Sequence, residues 1–161
     1  MRLRTALLPL ALCALTLGCA RSDPGASASD AAKATVGLTI ASSNGPHAFQ
    51  VEVAKSAEEQ EKGLMYRTDL ADNGGMLFWP YPAGGGAPKV ANFWMKNTPS
   101  ALDIIFIRAN GTIAHIAENA VPYDETPIPS GEPVGAVLEL KGGRTSALGI
   151  AEGDMVSWQG K

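Results

Sequence analysis

In the stretch "VANFWMKNTPSALDIIFI", Val90 to Ile107, an aromatic pair, a lysine, an asparagine and an aspartate stand around a proline. A flat indole at Trp94, donors at Lys96 and Asn97 and an acceptor at Asp103 are the groups that hold a small polar ligand with one flat face, such as a sugar. Arg67, at the end of "EKGLMYR", adds a guanidinium that can join Lys96 in taking an anion. These five residues, Arg67, Trp94, Lys96, Asn97 and Asp103, are the candidate ligand cleft. A second chemistry needs a tertiary coincidence. If Asp103 came close to Glu139 or His115, one partner's pKa would rise, and acid–base hydrolysis of an envelope carbohydrate or another small substrate would become feasible.

Each residue also has a purely architectural reading. Pro99 disfavours helix at Thr98 and donates no backbone hydrogen bond, so "NTPSA" is a bend between two strands. Asp103 can hold that bend by accepting backbone N–H groups, with Lys96, Asn97, Thr98 and Arg67 as further partners. Arg67 can satisfy helix-end carbonyls or pair with Asp69. Adjacent aromatics in a strand point to opposite faces, so one of Phe93 and Trp94 packs inward and the other faces out or lines a cleft. His115 alternates with Ile113 and is expected on its face, as a structural residue more than a ligand. Glu139, between Leu138 and Leu140, points either inward or to solvent. Gly63 inside a helical pattern implies close backbone packing. "PAGGGAPK" lacks the spacing of a phosphate-binding loop and precedes a strand, so it is expected to be a mobile loop.

The chain has 161 residues and a formal net charge of −3 without basic blocks, which sets nucleic acid aside. Two histidines and no HExxH or Asp-x-Asp loop speak against a transition-metal site, and no cofactor is expected. At the front, "MRLRTALLPLALCALTLGCARS" runs from two arginines through an apolar stretch too short to span a bilayer to Gly18-Cys19. That order resembles the lipobox of bacterial lipoproteins, with Thr16 and Leu17 where Leu and a small residue are more usual. It implies a signal peptide over 1–18 and diacylation of Cys19. Cys13 is then discarded and Cys19 consumed, which leaves the folded body without a thiol or a disulfide. Loss of Arg2 and Arg4 moves the formal charge from −3 to −5, so the lipid itself is the expected anchor. "ARSDPGASASDAAKA", 20–34, buries nothing and is expected to be a flexible tether reaching roughly 50 Å when extended. The expected address is the bacterial envelope, at the periplasmic face of the outer membrane in a Gram-negative host.

Eighteen glycines and eleven prolines favour a turn-rich β body over 35–161. Strands are expected at 35–41, 48–54, 76–79, 91–97, 103–109, 112–118, 134–141 and 154–158. Asn44-Gly45 and Asn110-Gly111 mark hairpins. A short helix over 57–66 opens on the capping-box pair Ser56 and Glu59, and a helical turn is expected at 144–149. Alternating Ile104/Phe106 and Ile105/Ile107 imply a strand buried on both sides. "VPYDETPIPSGEP" is assigned to a loop. The whole is a mostly β, sandwich or barrel-like domain.

"KGLMYR", "GGMLFWP", "NFWMKNTPSALDIIFI", "GTIAHI", "VLEL" and "LGIAEGDMV" together resemble the domain of unknown function 192 (DUF192) family of bacteria and archaea, over about Phe49 to Val156. The resemblance implies a single mostly β domain, often exported and sometimes lipid-anchored, and carries no catalytic residue with it. The anchor, the tether and the lack of a nucleophile–base or metal constellation favour a lipid-anchored binding or accessory module. A hydrolase and a protein-interaction module are the rivals.

Overall fold

The computed structural model describes residues 35–161; the signal segment, Cys19 and the tether lie outside them. Strand β1 (Thr35–Ser42) turns into β2 (Gly45–Ala54), with Ser42 opposite Gly45, so the two-residue turn is Ser43-Asn44, one step earlier than expected. Helix α1 (Ala57–Lys62) then carries the chain across to β3 (Gly74–Phe78), which runs parallel to β2. Strands β5 (Leu102–Ile107), β6 (Ile113–Ala120), β8 (Ala136–Lys141) and β9 (Met155–Trp158) complete a seven-stranded sheet ordered β6-β5-β8-β3-β2-β1-β9. Its two ends approach each other. Thr112 bridges Met155, and the Ile113 and Val156 N–H groups donate to the Asp154 and Gly111 carbonyls. The sheet is thus a half-barrel whose two ends are joined at Gly111–Ile113.

Closure sorts the apolar side chains into two cores. Leu38, Phe49, Leu77, Ile105, Ile107 and Leu138 fill the concave side. Phe78, Met95, Ile104, Phe106 and Val137 pack on the convex side. Every residue of β5 is buried, as expected from its two apolar faces. Each fully buried Leu, Ile or Phe contributes about 1.5–3 kcal/mol, so neither face of this strand tolerates a polar swap.

A separate ribbon, β4 (Lys89–Phe93) with β7 (Ile128–Val134), covers the convex core. Here the sequence reading needs correction. The presumed loop contains β7, because Pro129 and Pro133 sit opposite Asn92 and Val90 on a two-stranded ribbon, where a missing N–H is tolerated. Strand β4 stops at Phe93 instead of 97, since the next backbone groups bond elsewhere: the Met95 N–H donates to the Asp124 carbonyl. Helix α1 starts on a complete capping box, Ser56 with Glu59, but ends at Lys62 because Gly63 takes φ +46°. Among the described residues no helix is long and apolar enough to cross a membrane.

Candidate functional site

Asp103 has no solvent exposure and lies at the concave end of β5. A bulge in β6 turns the Asn119 N–H toward it, at 2.9 Å, and the start of α2 (Arg144–Leu148) supplies the rest. The Gly143 N–H donates at 2.9 Å, and the Thr145 N–H and hydroxyl each at 2.8 Å. Four donors thus converge on one carboxyl and pin the β8–α2 corner to β5. The expected backbone-binding role is present, but its partners are Asn119, Gly143 and Thr145, not Lys96, Asn97, Thr98 or Arg67. Asp103 therefore does not belong to the proposed cleft.

Arg67 is also engaged. Its Nη1 lies 2.9 Å from Glu52 and its Nε 2.7 Å from Asp69, and both carboxylates hold the guanidinium's pKa above its ordinary value. Reciprocally, the Arg67 bonds pull the Asp69 pKa down. A guanidinium held between two carboxylates is a structural clamp, its charge already offset.

Trp94, Lys96 and Asn97 stay together on the bend. Lys96 Nζ stands 4.9 Å from the Trp94 ring centroid, and Trp94 is 43% exposed. Asn97 is left-handed at φ +53°, and its carbonyl accepts from the Tyr66 N–H at 2.8 Å. The Ser100 hydroxyl donates to the Arg67 carbonyl. The bend is thereby laced to the segment after α1, and a cleft opens between them.

That cleft has a volume of about 480 Å³. Its walls are α1 and Gly63–Met65 on one side, Tyr81 and Pro82 on another, and Asn92, Phe93 and Trp94 opposite. Phe93 packs edge-on to Phe78 and Phe106 and tilts against Tyr81, so the aromatic wall is continuous with the convex core. Gln60 donates to the Ala54 and Pro80 carbonyls and fixes α1 to the rim.

Glu139 forms the floor. It lies on β8 in register with Met76 and Ile104, hence on the convex face, and is 5% exposed. The Leu64 backbone N–H favours its ionised form, yet among the described residues Oε2 has no hydrogen-bond partner. Burial pushes its pKa up to about 8, against the smaller opposing effect of the Leu64 N–H. Two glycines make this geometry possible. A Cβ at Gly75 would collide with the Glu139 carbonyl, and one at Gly63 would stand 3.1 Å from the Phe78 ring and 3.6 Å from Glu139 Oε2.

His115 lies outside this arrangement. A bulge between Phe106 and Ile107 places Ile113 opposite Ile107 but His115 opposite Phe106, so the two do not share a face. His115 stacks on Phe106 and meets Glu152 at 2.8 Å. Neither it nor Asp103 shares a cleft with Glu139, so the acid–base pairs considered for hydrolysis are not assembled. Among the described residues no group of three or more His, Cys, Asp or Glu could hold a metal. Of the expected cleft residues only Trp94 lines the cavity; Arg67, Lys96, Asn97 and Asp103 do not. Gly63, Tyr81, Asn92 and Glu139 were not expected there. The signals for Gly63 and Glu139 were local: a glycine in a helical run and a carboxyl between leucines.

Over residues 39–158 the chain matches the model of a family described as uncharacterized ACR, DUF192. The chain belongs to the DUF192 family. Two solved structures resemble this DUF192 domain. One, a protein of unknown function from Novosphingobium aromaticivorans DSM 12444, is 48% identical with a TM-score of 0.72, covering 77% of this chain and 85% of that one. The other, a candidate transcription regulator from Sinorhizobium meliloti 1021, is 39% identical with a TM-score of 0.75, covering 83% of this chain and all of that one. Comparison with curated proteins found no match.

Proposed function

We propose that this DUF192 protein is a small-ligand binding module held at the envelope by acylated Cys19. The observation that carries the binding reading is the Glu139 carboxyl oxygen left without a partner on the floor of an aromatic-walled cleft. A buried polar group with no partner costs about 1–3 kcal/mol, and a ligand that bonds it recovers that cost. The anchor rests on the apolar run and Gly18-Cys19. The regulatory description of the Sinorhizobium relative does not transfer readily, since a DNA-reading surface needs a basic face and this chain is net negative.

A ligand screen by thermal shift on the detergent-solubilised full chain tests the cleft, since ligands of the folded form raise the melting temperature. Trp94→Ala should abolish any such shift; a shift that survives in the variant places the ligand elsewhere. Mass spectrometry of the protein from native cells tests the anchor, and an unmodified Cys19 would refute it. A second reading, docking of a protein partner, draws on Tyr66, Val121 and Tyr123, which are large and exposed beside the same bend. Cross-linking from Tyr66 or Tyr123 in cells would favour it.

A further inference from the structure

The charge state of the cleft floor narrows the ligand class. We propose that the DUF192 cleft takes a primary alkylammonium group, with an ammonium N–H bonded to Glu139 Oε2 and the alkyl chain against Tyr81, Phe93 and Trp94. This rests on the binding reading above and specifies the ligand's charge.

The geometry supports a cation over the alternatives. One Glu139 oxygen is unpartnered although the side chain is almost wholly buried, and among the described residues its carboxyl has no cationic partner. An anion would leave the carboxyl protonated and take one hydrogen bond from it, against an apolar wall that replaces little of the anion's lost hydration. A neutral polyol would leave the carboxyl protonated and gain only an ordinary hydrogen bond. An ammonium gains a charge-assisted bond to the same oxygen and the attraction of the aromatic faces. Trp94 already receives one ammonium, that of Lys96, at 4.9 Å. Asn92 adds a polar side chain on the wall, and the glycine at 63 leaves clear the space beside Oε2.

Protons balance in a way that can be measured. In the empty cleft the raised pKa of about 8 keeps Glu139 protonated at neutral pH. Binding of R–NH₃⁺ ionises the carboxyl, and its proton passes to solvent. Other charged groups surround the floor. From α1 come Glu61 and Lys62, from the rim Tyr81 and from the bend Lys96 over Trp94, while the Glu52–Arg67 pair lies beyond Met76 on the same face. Burial raises the Tyr81 pKa further above its ordinary range, so it does not titrate here.

Calorimetry on the full chain in a non-ionic detergent, with n-butylammonium and its neutral isostere 1-butanol, separates the possibilities. Butylammonium should bind at least tenfold more tightly than 1-butanol and release close to one proton at pH 7, read from buffers of different ionisation enthalpy. Its affinity should rise about tenfold per pH unit below pH 8 and level off above it. Glu139→Gln should bring the two ligands within twofold. Should that variant fail to fold, the wild-type pH profile decides alone. Equal affinity for 1-butanol overturns the charge assignment and leaves the cleft as a site; binding of neither overturns both. Mixed micelles with phosphatidylethanolamine or phosphatidylglycerol identify the source. Competition by the former alone assigns a lipid headgroup, and competition by neither assigns a free amine; either is consistent with ammonium recognition. Competition by phosphatidylglycerol alone overturns it.

Discussion

Asp103 and Glu139 sit one register step apart on hydrogen-bonded strands and leave the sheet on opposite faces. Asp103 is in register with Leu140 of the concave core, Glu139 with Ile104 of the convex one. Two carboxyls that adjoin in the sheet are therefore separated by its thickness, and their environments differ: four donors converge on one, and the other faces an aromatic cleft. One secures the fold, and the other keeps an oxygen without a hydrogen-bond partner.

Replacing Asp103 with Ala strands four donors at a buried corner. A loss of about 3–5 kcal/mol is expected in urea unfolding. Lys96→Ala, which removes only a partly exposed cation from Trp94, should change stability by no more than about 0.5 kcal/mol. Similar losses from both would contradict the assignment.

Glu139 makes the stability depend on pH in a particular sense. Its pKa is about 8 when folded and about 4.5 when unfolded, so between those values the unfolded chain binds fewer protons. Stability attributable to this group is highest below pH 4.5, falls as pH rises toward 8, and is flat above. At pH 7 the cost is on the order of 3 kcal/mol. Glu139→Gln should flatten that part of the profile in urea melts from pH 5 to 8; an unchanged slope would show that the carboxyl ionises freely.

Gly63 ends α1 at φ +46°, ψ −133°, beside Phe78 and Glu139. Gly63→Ala meets both backbone strain and the Phe78 ring, and should cost about 1–3 kcal/mol. It should also narrow the cleft and weaken ligand binding, which calorimetry would detect.

Arg67 bonds Glu52 on β2 and Asp69 in the following loop. Arg67→Ala should cost about 1–2 kcal/mol, chiefly at the half-buried Glu52. Arg67→Lys should recover only part, since an ammonium lacks the fork that meets two carboxylates. Asp69→Ala should cost less than either and lose its effect in high salt. Thermal melts at two salt concentrations would check the order.

Much of the architecture was legible because it follows local rules. Alternation located β1, β2, β5, β6 and β8, the capping box placed the start of α1, and two apolar faces marked β5 as buried. The aromatic pairs also divided as strand geometry requires, with Phe78 in the convex core and Trp79 packed on the concave one. β7 escaped because prolines are penalised in strands generally, and only the pairing partner reveals an edge where they are harmless. His115 was misplaced for a related reason: one inserted residue reverses every face after it, and a bulge leaves no clear trace in composition.

The candidate site divides along the same line. Residue types and strand order alone established that an indole, an ammonium and an amide sit on one bend, because those neighbours are joined by the chain itself. They could not establish that Asp103 is enclosed by β6 and α2, or that Glu139 looks into the cleft, since both depend on contacts between distant segments. Burial sets a carboxyl's protonation and its unsatisfied bonds, and burial belongs to the whole fold. Only tertiary structure decided which acid is a rivet of the fold and which keeps an unpartnered oxygen at a cleft.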